Sequence, residues 1–68
     1  MKTQVMKLNY DGCWIIEYDD SRKVNPYGVY YKYYSSGWHK QLKERYADVQ
    51  SCLYYLLQKL TGHEWRMT

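Results

Sequence analysis

Polar and apolar residues alternate with a period of two through the first two-thirds of the chain. The alternation gives way to helical spacing near residue 49. Residues 4–10 and 13–18 read as two strands, with Asp11-Gly12 between them as a two-residue hairpin turn, because that dipeptide accepts positive φ. In this register Tyr10 faces Cys13, Leu8 faces Ile15 and Met6 faces Glu17 on the expected core side. Val5, Lys7 and Asn9 then share the uncovered side with Trp14, Ile16 and Tyr18. Residues 19–26 form a polar loop that ends on the turn starter Asn25-Pro26.

Residues 27–35 and 38–46 predict a second hairpin closed at Ser35-Ser36-Gly37. A one-residue slip here would exchange the two faces of a strand. With Ser36-Gly37 as a two-residue turn, Val29, Tyr31 and Tyr33 share a face with Trp38, Leu42 and Tyr46, which makes a core. The other face becomes Tyr30, Lys32 and Tyr34 beside His39, Gln41, Lys43 and Arg45. A three-residue turn would set Val29 beside Lys43, so the register that separates apolar from basic is preferred.

Asp48 predicts an N-cap for one helix over 49–61. Val49, Cys52, Leu53, Leu56 and Leu60 recur at helical spacing as its apolar stripe, with Leu57 at the edge and Gly62 as the stop. Trp65 in the tail is placed to fold back on the sheet. The expected fold class is α+β: a four-stranded antiparallel sheet of two hairpins with one C-terminal helix packed on one face, in the order β-β-β-β-α. A single domain spans 1–68, with the sheet at 4–46, the helix at 48–61 and a short tail at 62–68. A domain of this size buries only about 60% of the surface its unfolded chain exposes, so one sheet face is expected to stay open.

Composition sharpens the picture in three places. With 25% charged and 19% aromatic residues the chain has enough apolar material to fold. No apolar run is long enough to span a bilayer, and no signal-peptide pattern follows Met1-Lys2, so the expected compartment is cytoplasmic. Cys13 and Cys52, far apart and without CxxC spacing, read as two reduced, buried thiols. The aromatic complement is 10 tyrosines and 3 tryptophans with no phenylalanine, a choice suited to half-buried contact surfaces.

Candidate chemistry is sparse. Two histidines, two cysteines and seven carboxylates show no catalytic spacing, and a domain this small seldom encloses an enzyme-sized pocket, so a non-enzyme is expected. Cys13, His39, Cys52 and His63 number four but lack the paired spacing of a zinc site, and no glycine-rich phosphate loop is present; no metal or cofactor is implied. The one constellation with a function is the uncovered sheet face, where Tyr30, Lys32, Tyr34, His39, Lys43 and Arg45 place rings among cations and Trp14 extends the patch. Such a face suits a protein partner, where tyrosine, tryptophan and arginine make hot spots. It also suits DNA or RNA, whose bases stack on rings and whose phosphates meet cations. The net charge of +3 permits either. A tyrosine-rich edge strand also offers a route to a homodimer.

Arg45-Tyr46-Ala47-Asp48, followed by Ser51-Cys52-Leu53 and the leucine-rich helix, resembles the closing segment of many short phage and mobile-element proteins. That resemblance covers about the last third of the chain. It implies a small protein that binds a host protein stoichiometrically, as inhibitors of bacterial defence systems do, anti-CRISPR proteins and their defence-nuclease targets among them. A looser similarity joins the layered plan to the sheet-reading DNA-binding domain of phage-type integrases, although the arginine and tryptophan pattern of that domain is missing here. The leading expectation is therefore a host-protein binder, with a nucleic-acid-binding module as the alternative.

Overall fold

The computed structural model describes residues 1–9 and 12–61. Four strands, β1 (Lys2–Asn9), β2 (Cys13–Asp19), β3 (Tyr27–Tyr34) and β4 (Trp38–Tyr46), precede one helix, α1 (Val49–Thr61). The strands form an antiparallel meander in the order β1-β2-β3-β4, and the helix lies on one face, the α+β arrangement the pattern predicts. The β2–β3 loop is closed by the Asp19 amide, which donates to the Pro26 carbonyl at 2.9 Å. The Asp19 carboxylate accepts from the Ser21 amide at 3.0 Å and its hydroxyl at 2.6 Å. Asn25 takes φ 51° there, a conformation its short amide side chain tolerates.

Both hairpins depart from the predicted register, and in the same way. Asn9 pairs with Cys13 and Tyr34 with Trp38, so each connection is three residues long, 10–12 and 35–37. Each ends on a glycine with positive φ, 114° at Gly12 and 127° at Gly37. Three-residue hairpin loops want that freedom at their last position. Each outer strand then carries a bulge. One residue, Val5, is extra between Gln4 and Met6, and another, Lys43, between Leu42 and Glu44. Beyond Lys43 the second hairpin returns to the register expected of a two-residue turn, Val29 opposite Glu44 and Tyr27 opposite Tyr46. The two alternatives posed by the sequence are thus both used, on either side of one bulge. Bulges on β1 and β4 also twist the two edges of the sheet, which blunts their unpaired backbone.

The slip in the first hairpin exchanges the faces of β2. Met6 and Leu8 stay on the helix side, but their partners are Ile16 and Trp14. Cys13, Ile15 and Glu17, expected in the core, face the other way. The physical reason is burial: the slip puts the indole of Trp14 and the Ile16 side chain under the helix. The predicted pairing of Tyr10 with Cys13 gives way to Asn9 opposite Cys13, and Tyr10 itself lies outside the described residues.

The core consists of Trp14, Ile16, Val29, Cys52 and Leu56, flanked by half-buried Met6, Leu8, Tyr27, Tyr31, Tyr46, Tyr55 and Leu60. Trp14 and Tyr31 rings meet at 4.8 Å and 57°, a tilted pair worth about 0.5–1.5 kcal/mol beyond its buried area. On α1 the buried stripe runs through Cys52 and Leu56 and takes in Tyr55, whose ring meets Tyr46 at 6.1 Å. Leu53, expected in that stripe, is 43% exposed, and Tyr55, in ring contact with Tyr46, packs against the core in its place. The expected helix stop at Gly62 and the return of Trp65 lie outside the described residues. Among the described residues no helix is long and apolar enough to cross a membrane.

The helix start is held by Asp48, whose Oδ1 accepts the Ser51 amide at 2.8 Å and is thereby kept below the usual carboxylate range. Asp48→Ala is expected to lower Tm by roughly 4–8 °C near neutral pH. The gap should close as pH falls through the depressed carboxylate pKa, since the cap's contribution is present above the ordinary value and lost on protonation. Melting curves of both proteins across the acid range check this.

At the alkaline end, burial pushes the Cys52 thiol from 9.0 up to about 11 and raises the Tyr46 hydroxyl as well. The folded protein keeps a proton that the unfolded chain releases, so stability should decline as pH rises from about 9 toward 11. Cys52→Ala should lower Tm at every pH and flatten that decline, which denaturant titrations at neutral and alkaline pH would reveal.

Candidate functional site

Three cross-strand rows build the face opposite the helix, running Gln4–Glu17–Gly28–Arg45, Lys7–Ile15–Tyr30–Leu42 and Asn9–Cys13–Lys32–Lys40. Lys2 opposite Asp19 extends it at one end, and Tyr34 opposite Trp38 at the other. Among the described residues no helix covers these rows, yet Ile15 and Tyr30 are buried in the middle of them, Tyr30 being only 8% exposed. The Tyr30 ring lies across Gly28, where a Cβ would come within 2.8 Å of Tyr30 Cε1, so only glycine leaves room for it.

Two cations lock that ring. The Lys40 ammonium stands 4.8 Å from the Tyr30 centroid and forms an ion pair with Glu17 Oε2. Arg45 donates from Nη1 to the Tyr30 hydroxyl at 3.3 Å, from Nε to the Asn25 carbonyl at 3.2 Å and from Nη2 to the Pro26 carbonyl at 3.3 Å. The guanidinium therefore ties the β2–β3 loop to the sheet. Glu17 Oε1 is buried without a hydrogen-bond partner, as is Trp14 Nε1 on the other face.

Charge is divided unevenly over the molecule. Among the described residues, Lys2, Lys7, Lys32, Lys40 and Arg45 share the open face with two carboxylates, Glu17 and Asp19. That excess equals the formal net charge of the whole chain, +3, so the charges elsewhere in the sequence cancel. Beside the cations, Trp38 and Tyr34 are each 67% exposed and Leu42 is exposed as well. Lys32 holds its ammonium 5.3 Å from the Trp38 centroid.

Of the seven residues expected to form the site, the structure brings four together: Tyr30, Lys32, Tyr34 and Arg45. The other three are corrections. Trp14 is buried in the core beneath the helix. His39 pairs with Tyr33 on the helix side, stacks on its ring at 5.4 Å and donates from Nε2 to the Ser35 carbonyl at 2.8 Å. Lys43 is the bulged residue, and its ammonium reaches Gln41 Oε1 at 3.2 Å and approaches the Tyr31 ring at 5.8 Å. Trp38, Lys40 and Leu42 take their places, because a three-residue loop moves β4 by one position up to the bulge. The sequence signal for this was glycine as the third residue of both connections.

Other arrangements offer less. A shallow groove of ≈ 450 Å³ runs along α1 between Tyr46, Asp48, Gln50, Ser51, Tyr54, Tyr55 and Gln58, with a carboxylate and no cation in its lining. Among the described residues no three of His, Cys, Asp and Glu gather as metal ligands, and His63 lies outside them. Both thiols are free; Cys52 is buried, whereas Cys13 is half-buried on the open face. Compared with known proteins, the chain matches no family model, no curated protein and no solved structure.

The two cysteines give the open face a chemical reporter. Maleimide at neutral pH is expected to modify Cys13 and leave Cys52, which is buried and held protonated, untouched until denaturant is added. Intact-mass and peptide mass spectrometry should show one adduct on the folded protein. Equal labelling of both thiols would contradict the assignment of faces.

Proposed function

We propose that this protein is a non-enzymatic binding domain that holds nucleic acid against its open sheet face. The observation that carries the reading is the excess of five cations over two carboxylates among the described residues of that face, interleaved with exposed rings. Phosphates supply the negative charge such a face attracts, and bases supply flat surfaces for Trp38 and Tyr34. The sheet is stiffened for the purpose, since Arg45 and Lys40 are held by carbonyls, the Tyr30 ring and Glu17 before any partner arrives.

A second reading rests on a different observation. Trp38, Tyr34 and Leu42 form an exposed apolar patch at one end of the face, of the kind that anchors protein interfaces. On this reading the domain binds a host protein stoichiometrically, and inhibition of that partner follows from occupancy.

Fluorescence anisotropy with labelled DNA and RNA, read at low and physiological salt, separates the two. Nucleic-acid binding through four or five cations should give a slope of log K against log salt of roughly −3 for a single strand and roughly −4 for a duplex. Replacing Lys32 and Lys40 together with glutamine should weaken binding and reduce that slope by roughly 1.5. Lys23→Gln in the β2–β3 loop and Lys59→Gln on the helix should change little. No binding at low salt would overturn the nucleic-acid reading and leave the protein-partner one.

A further inference from the structure

The β3–β4 hairpin extends past the helix-packed cluster and carries rings on both sides of its last rungs. On the open side Trp38 and Tyr34 meet edge to face, with centroids 5.4 Å apart at 75°. Behind them Tyr33 stacks on His39 at 5.4 Å and on Tyr31 at 6.5 Å, and the His39 ring is anchored to the Ser35 carbonyl. The exposed pair is therefore mounted on a tip whose rear surface is itself stacked and hydrogen-bonded. None of these four tip rings belongs to the core cluster.

We propose that the ligand of the open face is single-stranded nucleic acid, with an unpaired base stacked at the Trp38–Tyr34 pair and its flanking phosphates on Lys32 and Lys40. The inference rests on the nucleic-acid reading above and narrows it. Two features favour a single strand over a duplex. A duplex hides its base faces and shows only edges, which are read mainly by the forked donors of arginine, asparagine and glutamine. The guanidinium on this face is committed through Nε, Nη1 and Nη2 to Asn25, Tyr30 and Pro26, and the face's carboxamides, Gln4 and Asn9, lie on β1 at the sheet edge opposite Trp38. What the tip offers instead is ring surface, and an unpaired base has both faces to give. Lys32 is already poised over Trp38, so the cation nearest the stacked base is also the one nearest its phosphate.

The test compares a short fluorescein-labelled oligothymidylate with a DNA duplex of equal length at low salt, using wild-type protein, Trp38→Ala and Trp38→Phe. The single strand should bind more tightly. Trp38→Ala should weaken it by about 5- to 150-fold, the range spanned by one base–ring stack, and Trp38→Phe should retain most of the affinity. Circular dichroism of each variant confirms that this exposed substitution leaves the fold intact. Duplex binding equal to or tighter than single-strand binding, indifferent to Trp38→Ala, overturns the stacking inference while the nucleic-acid reading stands. Absence of binding to either probe overturns both.

Discussion

Among the described residues 13 helical positions are set against four strands, so one sheet face is covered by the helix and the centre of the other is closed by side chains from the sheet itself. The Tyr30–Gly28 contact is how it does so. The missing Cβ at Gly28 lets the Tyr30 ring lie along the sheet instead of standing off it, and the ring helps keep water off the centre of the open face beside Ile15. Lys40 and Arg45 then close over the ring from β4, the first through its π face and the second through its hydroxyl. A neutral aromatic is thereby turned into the platform on which two cations are fixed. The charge of the open face and its rigidity follow from the same contact.

That arrangement needs one β4 position to face the same way as Tyr30 and another, three residues on, to reach its hydroxyl. Leu42 and Arg45 do so because Lys43 is bulged between them; on an unbroken strand, residues 42 and 45 would point to opposite faces. The bulge lets Trp38, Lys40, Leu42 and Arg45 share the open face, and leaves Gln41, Glu44 and Tyr46 on rungs of the helix side. A local irregularity on an edge strand, often treated as a device against aggregation, here also sorts charge between the two layers.

The element order, the strand and helix spans and the Asp48 cap were legible in the sequence because each depends on neighbours within a few residues. The faces were less so. Alternation defines which residues of one strand go together, but the partner strand is phased by loop length, and Asp11-Gly12 and Ser36-Gly37 suit a two-residue turn as well as the end of a three-residue one. The register chosen for the second hairpin because it segregated apolar from basic residues holds beyond the bulge and fails between the bulge and the turn. Hence Arg45, beyond Lys43, stands where expected, while His39, before it, faces the helix side. Trp14 went astray for a related reason. Burial under the helix outweighed the tight turn, and nothing local to residues 10–13 records where the helix will lie. The Leu53 misplacement has the same character, since Tyr55 packs in its place, in ring contact with Tyr46 on another element.

Stability alone would have left the far end of the second hairpin short and polar, as edges and tips usually are. Instead it carries Tyr33, Tyr34, Trp38 and His39, two of them two-thirds exposed, in a domain too small to spare apolar surface. Their mutual packing makes this an ordered structure: the edge-to-face pair on one side is backed by a stack on the other. The adjoining Lys32 and Lys40 face each other directly across the strands, a like-charge pairing that is destabilising in itself. Lys40 is relieved by Glu17, while Lys32 has the Trp38 ring and, among the described residues, no ion pair with a carboxylate. An exposed indole beside an under-neutralised cation is a costly combination in a free protein and a favourable one under a ligand that brings both a flat apolar surface and negative charge.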